Sequence, residues 1–466
     1  MSTIRQFGKE SLVYGIGYVA IRAVSFLLLP LFTNILTKEE FGIYALIFTF
    51  IAFSQVLYSY GLDSALMKYY VKSGEDKQTV CTTIFASITV TAILFSGFLW
   101  IFASPISEVL LNSPHPIFFR IAALILFFDT FSFRSIIIIR SNNQPFRYLF
   151  ITMTNVIITF CVNLILVAKY KMGVTGALYG TLSASAVTFL LVMPTLVKNI
   201  NFSKYSTEKL KMLLRFGLPI FPAIIFQIMM DMSDRYILLW MSDVATVGVY
   251  SAGYKIGSLM LFLITGFQLG WDPFFLKNEH NKDAPKMFAK IALYFSSFLM
   301  LVWVFSVLFI DKLIQIKLFG INLIGEEFWS SSQIIPIVML GYIFLGFYHL
   351  LMPGIFYSNK TKLLPVFRGL GAFSNVGLNI FLIPKFGAMG AAIATALSFG
   401  LMIIPLYFKA NKLFHIPFFW KSIIGYFIVA MLIYISNILF HFSILQSIFV
   451  FLWFAIIGII LIRKVQ

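Results

Sequence analysis

The chain has 466 residues, of which 60% are hydrophobic and only 11% charged, and its mean hydropathy is +0.92. A soluble domain carries about a quarter charged residues, so this composition excludes an ordinary soluble fold and points to a polytopic membrane protein. The formal net charge of +17 would suggest nucleic acid in a soluble protein; here basic cytoplasmic loops explain it first, and no nucleic-acid partner is expected.

Fourteen apolar segments read as membrane helices: 11–33, 41–61, 82–103, 117–140, 147–168, 174–197, 213–240, 248–275, 288–310, 332–357, 363–383, 388–409, 418–438 and 442–463. Each can cross roughly 30 Å of hydrocarbon at about 1.5 Å per residue. The short alternating segments of a membrane β-barrel are missing. The run after "MSTIRQFGKE" is too long for the apolar core of a signal peptide, so the first helix is expected to be retained. The loops alternate in charge. Lys68, Lys72 and Lys77, then Lys198, Lys204, Lys209, Lys211 and Arg215, then Lys277, Lys282, Lys286 and Lys290, and further loops to Arg463 fall on one side. Lys38, Lys169, Lys171, Lys312, Lys317 and Lys385 fall on the other. The positive-inside rule then places both termini in the cytoplasm. The longest external loop, about 311–331, is too small for a folded domain.

Two halves look related. "RQFGKESLVYGIG" parallels "LRFGLPIFPAII", "FGIY" parallels "VGVY", and "KMGVTGALYGTLSAS" parallels "KFGAMGAAIATALSF", with Asn163 and Asn379 at similar distances before the last pair. An even number of helices per half gives both halves the same orientation, as in parallel-repeat transporters. The expected organisation is all-α: a six-helix lobe over 1–200, a second over 201–412, and two extra helices over 413–466. Gly15, Gly17 and Pro30 in the first helix, and Gly217, Pro219 and Pro222 in the seventh, mark possible hinges at equivalent places.

Arg22, Arg120, Arg134, Arg235 and Lys255 do not fit in loops, and Asp63, Asp129, Asp231, Asp234 and Asp272 lie inside spans or at their edges. Burying such a group near the bilayer centre costs at least about 2.5–3.5 kcal/mol, so each should face protein or a wet cavity. Arg22 sits at the midpoint of its helix. Arg235 and Lys255 could line a cavity or snorkel outward, and Asp231, Asp234 and Arg235 share one helix face and could neutralise one another. Lys255 has no acidic residue within one helical turn along the sequence, whereas Asp243 belongs to a solvated turn. Asp63 could instead contact Lys68 or a helix terminus, and Arg120 and Arg134 read as interfacial. A cavity holding Arg22, Arg235 and Lys255 suits an anionic ligand such as a pyrophosphate. The five histidines are scattered, Cys81 and Cys161 fall in helices without metal spacing, and neither a catalytic constellation nor a nucleotide-binding loop is present.

The segments "SLVYGIGYVAIRAVSFLLLPLFTNILTKEEFGIYAL", "YGLDSALMKYY" and "DRYILLWMSDVATVGVYSAGYKIG" resemble those of Wzx-type polysaccharide or O-antigen flippases, in the multidrug/oligosaccharidyl-lipid/polysaccharide exporter superfamily. The resemblance spans essentially the full length. It implies a non-enzymatic flippase of the bacterial cytoplasmic (inner) membrane that translocates an undecaprenyl-pyrophosphate-linked oligosaccharide, an O-antigen or capsular repeat unit, by alternating access. Carried onto this chain residue by residue, Arg22, Asp63, Arg235 and Lys255 match charged positions of those segments, and the match leaves open which of the four contacts pyrophosphate; the candidates from the charge reading are Arg22, Arg235 and Lys255 for substrate binding and Asp63 and Asp129 for ion coupling or gating. No cofactor or metal is expected beyond H+ or Na+ as coupling ion. The expected partners are the lipid-linked glycan, the bilayer, and a polysaccharide polymerase with its chain-length regulator, for a monomeric flippase. The alternatives are a multidrug or cation antiporter on the same scaffold, a flippase for the lipid-linked peptidoglycan precursor, and a membrane glycan polymerase or ligase.

Overall fold

A computed structural model describes residues 26–72, 74–318 and 320–463. Without water, an apolar segment must close its backbone hydrogen bonds internally, and the described chain is accordingly helical. Its helices are α1 (Phe26–Ile35), α2 (Lys38–Ser59), α3 (Leu62–Val71), α4 (Lys77–Ile101), α5 (Ala103–Leu111), α6 (Pro116–Ser141), α7 (Pro145–Lys169), α8 (Gly173–Asn199) and α9 (Thr207–Gly217). They continue with α10 (Phe221–Met241), α11 (Val244–Gly257), α12 (Leu259–Lys277), α13 (Ala284–Leu313), α14 (Ile335–Leu350), α15 (Met352–Tyr357), α16 (Leu364–Leu413), α17 (Trp420–Phe440) and α18 (Ile444–Arg463). One two-stranded hairpin, Lys317–Leu318 with Ile321–Asn322, sits in the loop after α13.

Starts and stops follow local chemistry. Thr37 and Glu40 form a capping box at α2, Asp76 accepts from the Gln78 amide at the start of α4, and Pro opens α6, α7, α13 and α14, where its missing N–H is no loss. Among the described residues eleven helical runs are long and apolar enough to cross a membrane, or twelve if α9 and α10 form one bent span. One of the eleven, Thr361–Leu413, is broken at Gly387 (φ 52°, ψ −130°), so it accounts for two predicted helices, 363–383 and 388–409. The predicted helix 11–33 lies outside the described residues up to residue 25; α1 is its described end. The protein is a multi-pass, all-α membrane protein.

The chain divides into two compact units, Met1–Ile228 and Met229–Gln466. The first runs past residue 200 because α9 packs onto α3 and α4. There Leu213 joins Leu62, Leu66, Tyr69, Val80 and Ile84 in one apolar cluster. Between α2 and α3 the chain breaks at Tyr60 (φ 30°) and Gly61 (φ 82°). A Cβ on Gly61 would lie 2.2 Å from the Gly217 carbonyl oxygen, so the two backbones touch only because both residues lack side chains. Just beyond, α9 and α10 meet at a 46° bend, where Gly217, Pro219 and Pro222 fall.

In the second unit Trp303 of α13 is fully buried and donates to the Pro336 carbonyl at the start of α14 (2.7 Å). The helices α17 and α18 pack on α13 and leave most of their apolar side chains outward, as lipid contact allows. Gly173 (φ 57°) and Gly387 (φ 52°), at matched positions of "MGVTGA" and "FGAMGA", both have positive φ.

Candidate functional site

Among the described residues, each unit holds a cluster of intramembrane charges. In the first unit Arg134 of α6 is fully buried, which corrects the expectation that it is interfacial. Its Nη1 donates to the Thr130 carbonyl (2.6 Å), its Nη2 reaches the Tyr58 carbonyl at 3.5 Å, and its Nε lies 2.9 Å from Asp63 Oδ1. That last approach is an ion pair rather than an aligned hydrogen bond. Tyr58 belongs to the last turn of α2 and Asp63 to the first turn of α3. One guanidinium therefore serves the negative end of one helix and a carboxylate on the next, holding the break between them. Asp63 keeps 39% of its side chain exposed, so it is tethered without being enclosed. Asp129, also on α6, has Ser185 of α8 as its hydrogen-bond partner.

Also in the first unit, a cavity of about 190 Å³ is lined by Phe32, Tyr44, Asn155, Thr159, Asn163 and Thr181, among others. Asn163 is 1% exposed; its Nδ2 donates to the Thr159 carbonyl (2.7 Å), and its Oδ1 is buried without a hydrogen-bond partner among the described residues. In the second unit Asn379 repeats this. Its Nδ2 donates to Asn375 Oδ1 (3.0 Å) and its buried Oδ1 has no such partner. Asn375 in turn donates toward Thr395 (3.3 Å) and Ser398 (3.2 Å). A buried amide oxygen left unpaired costs about 1–3 kcal/mol.

The second unit's charges gather around α10 and α11. Arg235 is 8% exposed and Asp234 fully buried. Arg235 Nη1 donates to Asp234 Oδ1 (2.9 Å) and to the Asp231 carbonyl (2.8 Å). Asp234 Oδ2 accepts a short hydrogen bond from Tyr250. The guanidinium lies over the Tyr254 ring at 4.5 Å, and the Tyr254 and Tyr342 hydroxyls are 3.1 Å apart. A cation with a carboxylate on one side and aromatic faces on the other is held rigidly and largely neutralised. Lys255, one residue beyond Tyr254 on α11, is only partly buried. Asp243 caps α11 rather than merely facing water: its Oδ1 accepts from the Thr246 amide (2.8 Å), which holds its carboxyl below the usual range.

Of the predicted site residues, Arg22 lies outside the described residues. Arg235 and Lys255 belong to the second unit, and Asp63 and Asp129 to the first. Sequence reasoning missed the Arg134–Asp63 pair and the tyrosines 250, 254 and 342. The signal available was the lone Arg134 in an apolar run, whose carboxylate partner lies on another helix.

A family model described as "Polysaccharide biosynthesis protein" matches residues 7–279. An uncharacterized membrane protein of Methanocaldococcus jannaschii is 24% identical over 452 aligned residues, covering 89% of this chain and 87% of that protein. Among solved structures, a lipid II flippase, MurJ, in an inward closed conformation matches with a TM-score of 0.75 at 18% identity, over 97% of this chain and 98% of that one. An inward-facing multidrug resistance transporter of the MATE family, MOP superfamily, matches with a TM-score of 0.63 at 14% identity, over 84% and 98%. These structural likenesses establish a shared fold.

Proposed function

This chain belongs to the polysaccharide biosynthesis protein family, and from that premise we propose that it flips an undecaprenyl-pyrophosphate-linked oligosaccharide from the cytoplasmic to the outer leaflet of a bacterial inner membrane. The observation that carries the reading is the family match itself, since residues 7–279 take in Arg22, Asp63, Asp129, Arg235 and Lys255 together. The pyrophosphate and sugars enter from the cytoplasm and are held by Arg22, Arg235 and Lys255. Lys255 offers a point charge to a phosphate oxygen, while Arg235, fixed by Asp234 and two tyrosine rings and largely neutralised by that carboxylate, adds an oriented guanidinium that need not move. The polyprenyl tail stays in lipid. The bend at α9–α10 supplies the movable joint for alternating access, and H+ or Na+ at Asp63 or Asp129 resets the cycle. Both termini lie in the cytoplasm, and a polymerase with its chain-length regulator takes the product.

The test is reconstitution. Proteoliposomes carrying a fluorescent undecaprenyl-pyrophosphate oligosaccharide are challenged with a membrane-impermeant reductant. Flipping leaves a growing fraction of fluorophore accessible, and Lys255→Gln slows that growth. Equal accessibility in protein-free liposomes and proteoliposomes refutes the reading; a dye-efflux signal in its place assigns the chain to the antiporter alternative.

A further inference from the structure

The segment joining α8 to α9, "INFSKYS" (residues 200–206), lies in one of the basic loops. In the structure it is pinned. The Asn201 amide donates to Thr82 Oγ1 (2.9 Å), and Asn201 Oδ1 accepts from the Ser203 amide (3.2 Å) and hydroxyl (2.7 Å). Lys204 Nζ pairs with Asp76 (3.0 Å), the Ser206 amide donates to Thr83 Oγ1 (3.3 Å), and Lys209 pairs with Glu75 at 2.5 Å. These bonds fix a single short turn against the start of α4.

Phe202 is 77% exposed and Tyr205 44%. An ordered backbone presents the Phe202 ring outward, next to other exposed apolar side chains. The last turns of α8 already present exposed Leu190, Met193 and Val197, so Phe202 continues an outward apolar stripe. Lys198, Lys211 and Arg215 are exposed along the same segment. The helix α9 is amphipathic, with Leu213 buried and Lys211 and Arg215 outward. Aromatic rings at headgroup depth beside outward lysines and arginines form the pattern that binds an anionic membrane surface.

We propose that residues 198–215 are a membrane-surface anchor for anionic phospholipid, with Phe202 and Tyr205 set at headgroup depth and Lys198, Lys211 and Arg215 facing lipid phosphates. The occupant is the leaflet itself, because the turn emerges where α4 begins and α8 ends, at the boundary of the span. The anchor leads through α9 directly into the bend at Gly217, so the leaflet grips the segment beside that joint.

The experiment places a nitroxide at Ser203→Cys in full-length protein whose two native cysteines are replaced, in nanodiscs of phosphatidylcholine alone or mixed with phosphatidylglycerol. Power saturation compares access by oxygen and by a water-soluble nickel complex, with a label at Ser242, in the turn between α10 and α11, as reference. The expected result is lower nickel access at 203 than at 242, a further drop with phosphatidylglycerol, loss of that drop in Lys198→Gln/Lys211→Gln/Arg215→Gln, and a shallower label in Phe202→Ala. Nickel access at 203 equal to that at 242, or identical in both lipid compositions, overturns the proposal.

Discussion

Asp63→Ala removes a carboxylate that is 39% exposed but strands a guanidinium that is not exposed at all. Arg134 then keeps two backbone carbonyls as its only partners among the described residues. Removing one partner of a buried pair costs about 3–5 kcal/mol, nearly all of it the desolvated charge left behind. The reverse change, Arg134→Met, leaves Asp63 where water can reach it, so the loss is that of charge-assisted hydrogen bonds, about 1–3 kcal/mol. The two singles are therefore unequal, and in the double variant Arg134→Met should rescue most of the Asp63→Ala defect. The assay is equilibrium unfolding of purified protein in mixed micelles for wild type, both singles and the double, giving a coupling energy. Equal small losses in the singles, or a double variant as damaged as the sum, would refute the asymmetric-burial argument.

Other outcomes follow from local geometry. Gly61→Ala forces a Cβ onto the Gly217 carbonyl and a side chain into left-handed backbone; a loss of about 1–3 kcal/mol is expected in the same assay, whereas Gly74→Ala, with open space around it, loses only from its positive φ. The Thr79 hydroxyl, Lys204 and the Gln78 amide push the Asp76 carboxyl down to about 2, and Lys209 lowers Glu75. Because these folded-state values are depressed, their contribution is full above the ordinary carboxylate range near 4 and is lost as pH falls toward 2. Protection factors for hydrogen exchange at residues 200–206, taken against the intrinsic rate at each pH, should stay high at pH 5 and fall in that acid window, and Asp76→Asn should remove most of the dependence. Lys255→Gln should abolish surface glycan at unchanged protein level and thermal stability, read by blotting both.

The spans were legible because uninterrupted apolar runs leave the chain no option but helix, and Gly and Pro at 217–222 announced the bend. Gly173 and Gly387 stood out in the sequence because a backbone position of positive φ constrains the residue type locally. The α3 and α9 helices were not separable from their neighbours, because their amphipathic faces acquire meaning only against each other, around Leu213. Arg134 was misplaced for the same reason. Its distance from the end of the span suggested an interface, but its burial depends on a carboxylate on another helix, which no local pattern encodes. The Asp234–Arg235 neighbours could be listed from the sequence, yet the tyrosines that complete the cluster come from α11 and α14.

The most direct measurement removes the gene from its own organism and locates the lipid-linked oligosaccharide. Spheroplasts of the deletion strain are probed with an impermeant glycan-binding reagent, alongside strains complemented with wild type and with Arg22→Ala. The flippase account predicts that the undecaprenyl-pyrophosphate oligosaccharide accumulates inaccessible to the reagent in the deletion strain, becomes accessible with wild type, and stays inaccessible with Arg22→Ala at equal protein level. Full accessibility in the deletion strain would contradict it.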